Sequence, residues 1–231
     1  MRLTLGIAFA LLAAGCGGPQ SLDDEPQLEA AGMTPLFDGK DLNGWIQKPA
    51  ASWNVTDAAM HSLGVARGFI YTDTSNYGSF RLQFSLRHLP PTHGKDHAPC
   101  VLIWGSSPTL DALGGIQFQP PNGGHWDYRP GHNNGGGKEF TQPAHPHFDN
   151  SKWNQCEIVA NKATGKVRMA CCTITGTTPC TGVEVLDFDD PTAARNGPIA
   201  WQVHNGGLHD EFKDVSVELN PASDELISTQ F

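Results

Sequence analysis

Phe80-Arg81-Leu82-Gln83-Phe84-Ser85-Leu86-Arg87 alternates apolar and polar side chains without a break. A period of two is the signature of an extended strand with one face in a core. Its polar face carries Arg81, Gln83, Ser85 and Arg87. The pattern returns downstream. Ile116-Gln117-Phe118-Gln119 repeats it, and Ile199-Ala200-Trp201-Gln202-Val203-His204 sets Gln202 and His204 opposite Ile199, Trp201 and Val203. Val215-Ser216-Val217-Glu218-Leu219 closes the series in the same style. Further short strands are expected near residues 69–72, 101–104, 156–160, 166–171 and 183–188. Many short strands separated by Gly, Pro, Asn and Asp clusters, with no long helical period, predict an all-β fold built as an antiparallel β-sandwich. Gln and His recur on the faces opposite the core residues, where a hydroxyl-rich ligand could be held. An ordinary solvated sheet face is the competing reading.

Composition agrees with this class. The 231 residues hold 15 Lys+Arg against 24 Asp+Glu, a formal charge of −9. That balance excludes a nucleic-acid partner, which would need a basic face for the phosphates. With 26 Gly and 17 Pro the chain is turn-rich, and at 39% hydrophobic it can build a core, so disorder is excluded for most of its length. The absence of a repeat of about 20–50 residues argues against a propeller. One domain is expected.

The N-terminus reads as a targeting signal. Arg2 precedes an apolar run from Leu3 to Ala14, too short to span a bilayer, and Leu12-Ala13-Ala14-Gly15 leads into Cys16. This string is similar to a bacterial lipobox, which implies cleavage before Cys16 and acylation of its thiol; an ordinary cleaved signal that leaves Cys16 free is the alternative. Residues 17–33 form a polar tether with a reach on the order of 20 to 25 Å. The expected layout is a signal peptide over 1–16, the tether over 17–33, the sandwich over 34–220 and a C-terminal tail over 221–231. The domain would then sit in the bacterial cell envelope, held to a membrane through the lipid on the periplasmic or extracellular side.

Export permits disulfides. Five cysteines follow Cys16: Cys100, Cys156, Cys171, Cys172 and Cys180. Cys156 and Cys171 lie equidistant from the turn centred in Asn161-Lys162-Ala163-Thr164-Gly165-Lys166, so a hairpin would set them opposite each other, leaving Cys172 and Cys180 to close a short loop. Adjacent cysteines point to opposite faces, and geometry could reverse these partners. One thiol should stay unpaired. Metal binding by the cysteines is disfavoured because no Cys-x-x-Cys pair exists.

The strands also spell words. Leu36-Phe37-Asp38-Gly39-Lys40-Asp41-Leu42-Asn43-Gly44-Trp45 is similar to the opening motif of the 3-keto-disaccharide hydrolase family, exported and often lipid-anchored sugar-processing proteins. Trp53-Asn54-Val55-Thr56-Asp57, Phe69-Ile70-Tyr71-Thr72 with Tyr77-Gly78-Ser79-Phe80-Arg81-Leu82, Trp153-Asn154-Gln155-Cys156-Glu157-Ile158, and Gly197-Pro198-Ile199-Ala200-Trp201-Gln202-Val203-His204 resemble later family motifs in the same order. The resemblance implies a concanavalin A-like jelly roll. It also implies action on a glycoside oxidised to a ketone at C3: the ketone acidifies the C2 hydrogen, a base removes it, the C1 substituent leaves, and water adds. Such a route needs a base, an acid and something to stabilise the enolate, a role that a divalent metal ion could fill.

The chain departs from the family pattern at two places. Trp104 stands where the family has Arg, and Gln117 stands where it has Glu, while Gln119 is retained. Gln can be neither general base nor charged ligand. Candidate replacements are His204 as acid/base and Asp127, in Trp126-Asp127-Tyr128-Arg129, as a carboxylate, although Asp127 could equally fix a loop turn. Gln117, Gln119, Gln202 and Arg81 are candidates for substrate hydroxyls, and the indoles of Trp104 and Trp126 for the sugar ring, unless those two pack in the core. Trp45, Trp53 and Trp153 are assigned to the core. Seven of the ten histidines fall between His88 and His147; His145-Pro146-His147 could offer two imidazoles to a metal or simply form an exposed turn. The glycine-rich stretch from 122 to 137 is expected to be a long binding loop. A non-catalytic carbohydrate-binding module is the alternative to an enzyme.

Overall fold

The computed structural model describes residues 32–105, 114–128, 148–176, 180–189 and 196–230. Cys16, His145 and His147 lie outside these residues, as do the signal peptide and nearly all of the tether. Among the described residues, fourteen strands form two antiparallel sheets. The larger runs β12 (Val183–Asp189), β11 (Lys166–Thr173), β10 (Asn154–Asn161), β6 (Phe80–Leu89), β14 (His209–Leu219), β4 (Ala59–Ser62) and β3 (Trp53–Thr56), with β1 (Thr34–Pro35) also paired to β14. The smaller runs β2 (Trp45–Lys48), β5 (Gly68–Thr72), β13 (Ala200–Val203), β7 (Cys100–Ile103), β8 (Ile116–Gln119) and β9 (Gly124–Asp127).

Alternation supplies the core between the sheets. Phe80, Leu82, Phe84 and Leu86 of β6 meet Ile70, Val101, Ile103, Ile116, Phe118, Trp201 and Val203 of the smaller sheet, all at most 3% exposed. Trp201 sits at the centre, its ring 5.4 Å from Phe84 and 4.8 Å from Phe212. Burying a side chain of this size contributes on the order of 2 to 3 kcal/mol.

Several elements escape the sequence patterns. β3 and β4 form a hairpin turned at Asp57 and Ala58, both with positive φ and neither a glycine, so the usual Asn-Gly or Asp-Gly signal is missing. β9 lies inside the stretch expected to be a long loop, paired to β8 from Gly124 to Asp127. A Cβ at Gly124 would meet Gln119 Oε1 at 2.3 Å, so a larger residue there would push the Gln119 side chain aside. Trp153 is not a core residue; it is half-buried, with Arg87 and Lys213 at 4.8 and 4.6 Å from its ring.

The larger sheet's outer face is covered by the chain's own end. Residues 221–230 do not trail away: Leu226 packs on Val159 and Ala170, and a short 3-10 helix, Ile227–Gln230, begins over β10. Its backbone N–H groups at Ile227 and Ser228 donate to Glu157 at 3.1 and 2.8 Å. Arg81 completes the network, donating to Glu157 at 2.8 Å, to Glu218 at 2.5 Å and to the Glu225 carbonyl at 2.8 Å. Of the disulfide pairings the sequence left open, the structure has Cys156–Cys171 across β10 and β11, and Cys172–Cys180. Cys100 is the buried free thiol among the described residues.

Candidate functional site

The outer face of the smaller sheet brings together what the sequence scattered. One row of register partners runs Tyr71, Ala200, Leu102, Gln117 and Trp126 across five strands. The next runs Phe69, Gln202 and Cys100, whose thiol donates to the Ala98 carbonyl at 3.4 Å. Strand alternation puts these residues on one side because every second one, Ile70, Val101, Phe118 and Trp201, is in the core. The floor is apolar: Phe69, Tyr71, Cys100, Leu102 and Ala200 form a cluster separate from the main core. Trp126 is half-buried beside Gln117.

This face is not the solvated polar surface that alternation suggests. Gln117 is 1% exposed and Gln202 2%, and their Oε1 atoms have no hydrogen-bond partner among the described residues. An unsatisfied buried acceptor costs on the order of 1 to 3 kcal/mol, a cost that a ligand bringing hydroxyl donors would offset.

At the edge of this floor, His204 follows β13 and stacks on His97 with ring centroids 3.8 Å apart and planes within 3°. His97 Nδ1–H donates to the Ala98 carbonyl at 2.8 Å. The Nδ1 of His204 lies 3.4 Å from Asn205 Oδ1, which directs its proton there and leaves Nε2 as the free lone pair. Burial, then the neighbouring His97, holds the His204 imidazole below its ordinary value of 6.5, against the pull of Asn205, and Arg67 adds to the lowering. His204 is therefore neutral at pH 7 and competent to accept a proton. Burial pushes the Cys100 thiol far up, with Asp210 adding to the rise, so Cys100 is a neutral filler and not a nucleophile.

Other expected residues lie elsewhere. Arg81 is on the larger sheet, bonded to Glu157 and Glu218 on the opposite outer face of the sandwich, and is withdrawn as a substrate ligand. Trp104 follows β7, where strict alternation would turn it outward, but its φ of 55° breaks the alternation. Its indole is 4% exposed within the core and donates to the Gly78 carbonyl at 2.8 Å, so it is no sugar platform. Asp127 pairs with Ile116, a core residue, and therefore faces away from Gln117 and Trp126. It cannot share their ligand. His125 shares Asp127's side of β9, 4.6 Å from Phe188 of the larger sheet.

Three groups on or beside this face were not singled out by sequence: His97, Tyr128 and Arg67. The charge of Arg67, exposed on the β4–β5 connection, acts on Cys100, Tyr128 and His204 alike, which puts a cation within electrostatic reach of this face. No strand pattern reaches it, because it stands in a loop. Among the described residues no group of three or more His, Cys, Asp or Glu side chains is placed to hold a metal ion, and the donors on this face are amides, imidazoles and a thiol without a carboxylate. The residues described here do not fit the divalent ion that the resemblance suggests.

A profile of the 3-keto-alpha-glucoside-1,2-lyase-like domain matches residues 32–218. No curated protein sequence matches the chain. Among solved structures, a protein of Parabacteroides distasonis ATCC 8503, provisionally named a glycosyl hydrolase, is similar over 80% of this chain and 98% of its own, with a TM-score of 0.53 and 16% identity. The carbohydrate-binding module CBM66 of Bacillus subtilis is similar over 77% and 96%, with a TM-score of 0.52 and 14% identity. The exoplasmic/lumenal domain of VIP36, solved with Ca2+ and Man3GlcNAc, covers 81% and 87%, with a TM-score of 0.54 and 7% identity. At these identities the structures establish the fold, a concanavalin-like jelly roll.

Proposed function

Because the chain belongs to the 3-keto-alpha-glucoside-1,2-lyase-like domain family, we propose that the outer face of its smaller sheet binds a 3-keto-glucoside and cleaves it by elimination. The observation that carries this reading is the pair of buried, unpartnered amide oxygens of Gln117 and Gln202 on the same face as the stacked His97 and His204. Sugar hydroxyls supply the donors those oxygens lack, and Trp126 offers an indole face to the ring. His204, neutral and with Nε2 available, takes the proton from C2; the electron pair moves into the C3 carbonyl as an enolate, then returns to expel the C1 substituent, whose oxygen takes the proton back from the His204 imidazolium. Water added across the resulting double bond completes a net hydrolysis. Arg67, whose charge reaches His204, would favour the developing enolate charge at longer range than an oxyanion donor would. No step is assigned to a metal.

Export and lipid attachment at Cys16 belong to the same proposal, supported by the apolar run and the Leu12 to Cys16 string. No helix among the described residues is long and apolar enough to cross a membrane.

The test is incubation of the mature domain with a 3-keto-glucoside, with and without EDTA. Release of the C1 substituent with a glucal-type intermediate is expected, and His204→Ala should lower turnover by about 100-fold or more with little change in stability. Binding without turnover in the wild type would favour the second reading, a carbohydrate-binding module. That reading draws on Gln117 and Trp104 standing where the family pattern has Glu and Arg.

A further inference from the structure

His88 lies on β6 directly opposite Asp210 of β14 and is bonded to carboxylates at both ring nitrogens. Nδ1–H donates to Asp210 at 2.5 Å and Nε2–H to Asp96 at 2.6 Å. With both carboxyl groups ionised the ring carries both protons as an imidazolium; burial pushes Asp210 up, and His88 holds it down against that. Asp210 is 1% exposed, and its second oxygen, Oδ2, has no partner. Its burial makes the cation beside it obligatory, because a buried carboxylate without a countercharge is strongly disfavoured. Burial pulls the His88 ring down, but Asp210 and then Asp96 overcome this and raise it to about 9. The bond to Asp96 therefore persists at neutral pH.

Asp96 is the residue before His97. The same connection is tied to the segment after β13 by Asn205 Nδ2, which donates to the Lys95 carbonyl at 3.0 Å, and by Thr92 N–H, which donates to Gly207 at 2.9 Å. We infer that His88, acting through Asp96, is a positioning residue that anchors the β6–β7 connection so that His97 lies flat on His204 and keeps water from it. This deepens the reading of His204 as the group that moves the proton, and it gives a buried ion network outside the binding face a role in setting that group.

The groups facing His204 are His97 on the β6–β7 connection, Arg67 on the β4–β5 connection and Asn205 on its own. Asp96→Ala is the informative variant, because the Asp96 side chain is 67% exposed and its loss leaves the buried His88–Asp210 pair in place. Ring-nitrogen NMR titration of the full chain, 15N-labelled at histidine and free of ligand, reads the His204 midpoint. In the wild type it should fall below 6.5. In Asp96→Ala it should rise by about half a unit or more, and Asp96→Glu should restore it. The sign discriminates: removing a carboxylate can only lower a nearby imidazole's midpoint by charge, so a rise reports the loss of stacking and the entry of water. An unmoved midpoint in a folded Asp96→Ala, or a loss of thermal stability alone, overturns the inference. Because no substrate is present, failure of the ketoglucoside assay leaves this result standing, and an unmoved midpoint leaves the elimination chemistry untouched.

Discussion

The two outer faces of this sandwich carry similar rows of polar residues and have opposite fates. On the larger sheet, Arg81 and Glu157 are buried and fully engaged, sealed under residues 221–230, with the Glu157 carboxylate also taking two backbone N–H groups. On the smaller sheet, Gln117 and Gln202 are equally buried, yet their oxygens have no hydrogen-bond partner among the described residues. Gln83 of the larger sheet, 4% exposed, also leaves both amide atoms without a partner among the described residues, so unmet polar groups are not confined to one face; those of the smaller sheet differ in lying on the face that carries the stacked His97 and His204.

The strongest way to break this contrast is Arg81→Ala. It strips a buried carboxylate of its cation and should cost about 3 to 5 kcal/mol in urea denaturation, with ketoglucoside affinity unchanged for the folded fraction. An affinity loss there would mean that the two faces are not separate. Gln202→Leu should do the reverse. Replacing an unmet amide with an apolar group of similar size should leave stability within about 1 kcal/mol of wild type or raise it, while binding weakens by about tenfold or more. A clear drop in stability would show that Gln202 belongs to the scaffold.

A smaller effect appears with pH. His88 is raised in the folded state from 6.5 to about 9, so the stability it contributes is complete below 6.5 and is lost as pH rises through 9. Calorimetric Tm should decline across that window, and the decline should flatten in His88→Gln. His204 works in the other direction: its ring is held below 6.5, so protonating it costs stability as pH falls through and below 6.5, and turnover should fall on the same acidic limb.

The local pattern was enough to fix the fold. Alternation in Phe80 to Arg87, Ile116 to Gln119 and Ile199 to His204 needs only the two-residue period of a strand, so the core residues and the all-β class could be read directly. It was silent on hairpins turned without glycine, as at Asp57 and Ala58. It also could not say which sheet a strand would join. Arg81 and Gln202 occupy equivalent places in their patterns, and only long-range pairing sent one under the C-terminal segment and the other to the open-valenced face. Trp104 packs in the core, one of the two readings its sequence leaves open, because a single residue at φ 55° reverses the direction alternation assigns. Asp127 was misplaced because its parity became fixed only when β9 paired with β8. The partners of His204, His97 in one connection and Arg67 in another, are 107 and 137 residues away in the chain (204 − 97 and 204 − 67). Sequence determined what each strand buries, because burial is a local periodicity; tertiary structure decided which polar groups are satisfied, because hydrogen-bond partners are set by contacts between distant segments.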